Sequence, residues 1–172
     1  PPLQQGETVP TFVTRLARAK AEAVSKLLPP SETRAILACD TVGEIGGVIF
    51  GKPTDAHDAR RMIETLSGKK HRVFTGVSIW FPEPAERIKA NTSLGQYRVK
   101  EGCAISEVFM ELLQKKEVDD YLATNDWHGK AGACGFQDGH LPLRLITGSV
   151  DTVVGLPVEF IEQLVIKHLR SR

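Results

Sequence analysis

The sequence predicts an α/β or α+β domain. Three observations carry that reading: a helical apolar period near the start of the chain, short apolar runs bounded by glycine and proline in its middle, and an amphipathic segment close to its end. The 172 residues are enough for one well-buried core and few for two, so a single domain over residues 1–172 is expected. No internal repeat, linker or low-complexity tract interrupts it.

The elements follow in order. Over residues 11–28, Phe12, Leu16, Ala19, Ala23 and Leu27 recur at three- and four-residue steps. Pro10 suits the first turn, Thr8 or Thr11 the cap, and Pro29-Pro30 the stop. Arg15, Arg18, Lys20 and Lys26 fall between these positions and read as a solvated face. Residues 35–39 are an apolar run of strand length, residues 43–47 a glycine-rich turn, and Val48-Ile49-Phe50 the return strand. A helix is expected over residues 55–66, capped by Thr54 or Asp55 and ended by Gly68. A strand over residues 72–80 carries Val73, Val77 and Ile79 and is interrupted at Thr75-Gly76; Pro82 and Pro84 mark its turn. Alternation over residues 87–108 indicates further strand, residues 117–124 a helix, residues 141–146 a strand, and residues 158–169 a closing helix. Lys167, His168 and Arg170 near that helix's end suit its macrodipole.

Composition excludes several classes of function. Charged residues make up 25% of the chain and the net charge is +1, so no basic field points to a nucleic-acid polymer. No apolar stretch approaches the roughly 18 residues a membrane span needs. Residues 1–7 show no basic stretch followed by an apolar one, so no secretory signal is expected in them. Three scattered cysteines, Cys39, Cys103 and Cys134, give neither a disulfide framework nor a C-x-x-C zinc site, and a reducing, cytoplasmic setting is expected. Cys39 reads as a small hydrophobe rather than a nucleophile. No two of the five histidines stand four apart, and no G-x-S-x-G pattern is present.

The chemistry concentrates in three segments. In the first, Asp40 follows an apolar run at an expected strand end, and Lys52 lies between Gly51 and Pro53 on the return. An ionised aspartate in such a place needs a partner, which would be Lys52, a metal ion, or both; the alternative is an Asp-Thr turn cap. Lys52 suits a phosphate-binding point charge, or is an ordinary exposed lysine. The second segment runs from Lys130 to Gln137 and sets small residues around one charge, with Gln137 offering a donor and an acceptor to a base edge or simply closing a packed loop. In the third, residues 148–157, Ser149, Asp151 or Thr152 could sit at a helix-start anion site or serve as turn and cap.

Taken together, these segments resemble the Maf family of nucleoside triphosphate pyrophosphatases. The matching pieces are Arg15-Leu16-Ala17-Arg18-Ala19-Lys20-Ala21, Ala38-Cys39-Asp40-Thr41-Val42, Gly51-Lys52-Pro53, the stretch from Leu66 to Val77, the stretch from Gly129 to Gln137, and Val153-Val154-Gly155-Leu156-Pro157. Each alone is weak; the ordered set is specific and spans nearly the whole chain.

The resemblance implies an α/β fold with an elongated mixed sheet, flanking helices and a cleft between two lobes, similar to inosine triphosphate pyrophosphatase. It implies hydrolysis between the α- and β-phosphates of a nucleotide with a divalent metal, Mg or Mn, held at Asp40, which also serves as base. Thr41, Lys52, Thr75, Lys130 and Gln137 are then substrate contacts, with Thr41 and Gln137 matching the branch that prefers dTTP and UTP. A homodimer and a link to septum formation belong to the same set of expectations, as does an alternative role in nucleotide binding without turnover. Family members begin with a strand, a Ser-x-Ser-Pro-Arg-Arg loop that grips the triphosphate, and an acidic segment; the match places these before Pro1. Cys134, Asp138 and Val150-Asp151-Thr152 stand where an aromatic, a glycine and Tyr-x-Asn are common in the family.

Overall fold

A computed structural model of the chain describes residues 3–29, 34–83 and 97–170. The elements run α1 (Val9–Ser25), β1 (Ile36–Ile45), β2 (Val48–Phe50), α2 (Ala56–Leu66), β3 (Lys70–Pro82), β4 (Tyr97–Met110), α3 (Lys115–Ala123), a 3₁₀ turn (Ala131–Ala133), β5 (Leu143–Thr147), α4 (Val150–Val154) and α5 (Val158–Leu169). The five strands form one sheet in the order β2-β1-β3-β4-β5, which bears out the α/β expectation. Pro30, Pro84 and the first part of the strand expected over residues 87–108 lie outside the described residues. Among the described residues no helix is long and apolar enough to cross a membrane.

The chain divides into two compact units. One comprises residues 1–40, 76–103 and 158–172; the other comprises residues 41–75 and 104–157. The chain passes from one to the other within β1, β3 and β4.

In the first unit, α1 starts at Val9, with the Thr8 hydroxyl accepting from the Thr11 amide at 3.4 Å and Pro10 in the first turn. Its buried face is Phe12, Val13, Ala17 and Ala21. That corrects the expected stripe: Leu27 is 82% exposed, and Ala19 and Ala23 face outward. Both stripes have the helical period, and close approach decides between them. A Cβ on Gly76 would lie 2.3 Å from the backbone carbon and oxygen of Val13, so the helix lies directly against β3 and presents small side chains to it. This also explains why β3 runs unbroken through Thr75-Gly76 instead of being interrupted there. Among the described residues, Ala21, Ile36 and Trp80 form one apolar cluster of this unit, and Val77, Ile79 and Leu164 another.

The basic residues of α1 keep the expected solvated face, with Arg18, Lys20 and Lys26 exposed, and three of the four also join ion pairs beyond the helix. Arg15 donates through Nε and Nη2 to Glu7 at 2.7 and 2.8 Å, Arg18 pairs with Glu101, and Lys20 pairs with Asp40. Only Lys26 pairs locally, with Glu22 four residues earlier. The fork from Arg15 lowers the Glu7 carboxyl from its ordinary 4.5 to about 2. A carboxylate depressed on folding stabilises the protein above its unfolded value, and that contribution disappears as pH falls towards the folded value. We therefore expect Glu7→Gln to lower the thermal midpoint at pH 6, with the difference from wild type shrinking below about pH 4.5 and gone near pH 2. Thermal melts across that range check this.

In the second unit, β1 and β2 form a hairpin with Gly43 opposite Phe50, Glu44 opposite Ile49 and Ile45 opposite Val48. The turn is only Gly46-Gly47, at φ 58° and 85°, the two positive values a primed hairpin turn requires. The strand therefore continues through residues 43–45, expected as turn, and Asp40 lies in mid-strand rather than at a strand end. Nor is residues 36–39 a fully buried run, since Leu37 is 47% exposed. A core of Phe50, Met62, Ile63, Leu66, Met110 and Tyr121, with smaller neighbours, holds α2 and α3 to this part of the sheet. Asp55 caps α2 by accepting from the Asp58 amide at 2.8 Å.

Candidate active site

The first unit contributes Asp40, whose side chain is 17% exposed. Its partner is Lys20, with Nζ 2.5 Å from Oδ1. The same ammonium donates to the Cys39 carbonyl at 2.9 Å, so one lysine of α1 holds both the backbone and the carboxylate of β1. The sequence reading demanded a partner for Asp40 and named Lys52 or a metal; the structure supplies Lys20. The overlooked signal lay in Arg15-Leu16-Ala17-Arg18-Ala19-Lys20-Ala21, where Lys20 directly precedes the buried Ala21. Lys20 is 56% exposed, so the pair adds about 0–1 kcal/mol to stability. Its consequence is positional: it fixes which carboxylate oxygen is occupied. Cys39 packs beside Val77 and Ile79, and burial raises its thiol above the ordinary 9.0, in keeping with a small hydrophobe.

The second unit carries the other five predicted residues. Thr41, partly exposed on β1, lies 2.8 Å hydroxyl to hydroxyl from Thr75 on β3. Thr75 is fully buried and donates to the Thr152 carbonyl at 2.7 Å. Gly155 closes over this pair at φ 104°, where a Cβ would sit 2.9 Å from the Thr41 hydroxyl oxygen. The Thr152 carbonyl is itself fixed. Ser149 caps α4 by accepting from the Thr152 amide at 3.4 Å, while Ser106 donates to the Ser149 carbonyl and accepts from the Ser149 amide, each at 3.0 Å. Of the two readings of residues 148–157, turn and cap is therefore the one observed, and α4 has only five residues.

Lys52 is exposed just after β2. Its neighbour Gly51 accepts from the Gly132 amide at 2.9 Å, which docks the 3₁₀ turn on the residue just before the lysine. Gly132 sits at φ 66°, where glycine is favoured, and the Tyr121 hydroxyl donates to the Ala133 carbonyl at 3.0 Å. The segment thus has the close backbone packing its composition suggested. Lys130, at its start, is paired with Asp138, and Gln137 is exposed. Burial pushes the Cys134 thiol up to about 12. His71 is buried on β3, and burial lowers its pKa below the ordinary 6.5.

Glu44 escaped the sequence reading altogether. Only 4% of its side chain is exposed, and it accepts from the Gly47 amide at 2.6 Å and from Arg72 Nε and Nη2 at 2.8 Å each. It braces the hairpin that carries Gly51 and Lys52. A signal existed: Glu44 shares a strand face with the buried Val42, so it had to bring a cation with it.

The donor set bears on a metal ion. Among the described residues no group of three or more His, Cys, Asp or Glu side chains forms a ready cage. Asp40 is a single carboxylate with Lys20 on one oxygen. That suits a magnesium-like ion taking one carboxylate and completing its shell with substrate phosphate oxygens and water.

With this geometry established, comparison with known proteins identifies the relationship. Residues 2–168 match the family described as Maf-like protein. The chain is 38% identical over 154 residues to a dTTP/UTP pyrophosphatase of Anaeromyxobacter dehalogenans, covering 89% of this chain and 71% of that protein. It is 34% identical over 169 residues to a dTTP/UTP pyrophosphatase of Aliivibrio fischeri, covering 96% and 81%. A third relative of the same description, from Geobacter, is 39% identical over 155 residues, covering 89% and 72%.

Proposed function

The chain belongs to the Maf family, and from that premise we propose that it hydrolyses dTTP and UTP to the monophosphate and pyrophosphate. The observation that carries this is the 34–39% identity to dTTP/UTP pyrophosphatases across about nine-tenths of the chain. Supporting it are Asp40 held by Lys20 and the presence of both Thr41 and Gln137.

The residues suggest a division of labour. Asp40 takes the proton of the water that attacks the α-phosphorus. Lys20 keeps one carboxylate oxygen engaged, so the other faces the water. Lys52, exposed and anchored through Gly51, places a positive charge against phosphate oxygens. Lys130 must exchange Asp138 for a phosphate oxygen to do the same, which makes it the weaker contact of the two. A bound magnesium or manganese ion would cancel phosphate charge and polarise the attacked phosphorus, with Asp40 as its protein ligand.

Pyrophosphate release from dTTP and UTP tests the proposal. We expect turnover with magnesium and its loss on adding a chelator, restored by excess metal. Turnover indifferent to chelation would contradict the metal assignment, and no pyrophosphate from either nucleotide would contradict the activity.

A further inference from the structure

Lys130 is already engaged. Its ammonium donates to the Asp138 carboxylate, and only 28% of the lysine side chain and 22% of the aspartate side chain are exposed. Solvent and salt screen a pair this covered far less than an exposed one such as Lys116 with Asp120 on α3.

Both ends of the contact are built into the second unit. The Lys130 amide donates to the Trp127 carbonyl at 3.4 Å, and the Lys130 carbonyl accepts from the Ala133 amide at 3.1 Å. Two residues on, Gly132 is bonded to Gly51, so the segment that carries Lys130 is fixed beside the one that carries Lys52. At the other end, the carboxylate rests on the bare Cα of Gly135. A Cβ there would stand 2.1 Å from Asp138 Oδ2 and 2.8 Å from its Cγ. Gly135 is not among the glycines of positive φ, so its backbone would accept alanine where the seated carboxylate would not.

A phosphate that reaches Lys130 meets this carboxylate. The ammonium has three donors, but serving both anions would hold carboxylate and phosphate oxygens together on one nitrogen with little water to screen their repulsion. One of the two must leave.

We infer that Asp138 is an autoinhibitory counter-ion, which holds Lys130 until substrate phosphate displaces it and returns to compete with the pyrophosphate product after cleavage. The inference rests on the nucleoside triphosphate reading above and adds how that site limits its own grip. The apparent affinity for any anion that uses Lys130 is reduced by the fraction of molecules in which the lysine is already released. Substrate and pyrophosphate are weakened together, which trades tight binding for faster product release.

The test is calorimetry of non-hydrolysable α,β-imido dUTP and of pyrophosphate, with magnesium, beside pyrophosphate release from dTTP. Asp138→Asn keeps the size of the side chain and removes its charge, and both Kd values should fall by about tenfold. Gly135→Ala keeps every charge and unseats the carboxylate, so both should fall with it as well. With Lys130→Gln in place, Asp138→Asn should change neither Kd by more than about twofold, because the cation being competed for is gone. Thermal melts confirm that each variant is folded, and Gly135→Ala answers the question if Asp138→Asn is not. Unchanged or weaker binding in both single variants overturns the inference. So does equal tightening by Asp138→Asn with Lys130→Gln in place, which is plain repulsion between Asp138 and the phosphates. If binding tightens as expected but dTTP is not hydrolysed, the activity is wrong and the inference stands. If dTTP is hydrolysed and the Kd values do not move, the reverse holds. If neither wild type nor Asp138→Asn binds either anion, both fall.

Discussion

Asp40→Asn should lower kcat for dTTP by about 10²–10⁴-fold, the usual contribution of a general base. Asparagine matches aspartate in size and still accepts from Lys20 through its carbonyl, so the strand and its contact to α1 survive. What is lost is an anionic oxygen able to take a proton and bind a cation. The ion pair with Lys20 is worth about 0–1 kcal/mol in stability because the lysine is 56% exposed, so the thermal midpoint should move by no more than a few degrees. A large loss of turnover beside a nearly unchanged midpoint separates chemistry from folding. Steady-state kinetics paired with thermal melts give both numbers, and a variant with wild-type kcat would remove Asp40 from the mechanism.

Gly76→Ala should be the most destabilising single-methyl change in the first unit. The added Cβ would stand 2.3 Å from the Val13 carbon and oxygen and 2.5 Å from the Thr14 amide nitrogen. These are backbone atoms of a helix, not the end of a mobile side chain, so α1 must move off β3 to admit it. Overpacking of this kind costs about 3 kcal/mol, a large share of the roughly 5–15 kcal/mol that holds a domain together. The midpoint should fall by about 10 °C. Gly51→Ala is the control: a Cβ there meets nothing within 4 Å, and its melt should nearly match wild type. Equal midpoints for the two variants would contradict the close packing of α1 on β3.

These two positions also show what the sequence disclosed and what it withheld. Helix positions were legible where caps are local: Thr8 and Asp55 announce helix starts through their own side chains, whereas α4 behind Ser149 was not expected as a helix. The buried face of α1 was not legible, because two apolar stripes share the same period and only the bare backbone at Gly76 favours the one built from Val13, Ala17 and Ala21. The same limit applied to Gly76 itself, which reads as a strand breaker until the helix against it is known. The hairpin showed the complementary error: Gly43 opened the expected turn too early because glycine also occupies strands, here opposite Phe50.

Within the candidate site, Asp40 and Lys52 stood out by their flanking residues, whereas the partners of Asp40 and Glu44 did not. Lys20 lies twenty residues before Asp40 on another element, and Arg72 reaches Glu44 from the next strand. Ion pairs between distant segments leave no periodic trace. The demand for a partner at Asp40 was legible from the cost of an unpaired carboxylate; the identity of that partner was not. Nor was the chain of contacts through Thr41, Thr75 and Thr152, which joins residues 34 and 77 apart in sequence.

The proposed reaction is cleavage between the α- and β-phosphates of a pyrimidine nucleoside triphosphate by the residues around Asp40. Phosphorus NMR of dTTP incubated with the protein and magnesium tests it most directly. The expected result is that dTMP and pyrophosphate grow in together at equal rates, and at least about a hundredfold more slowly for Asp40→Asn. Accumulation of dTDP and inorganic phosphate instead would place the cut at the wrong anhydride bond and contradict the account.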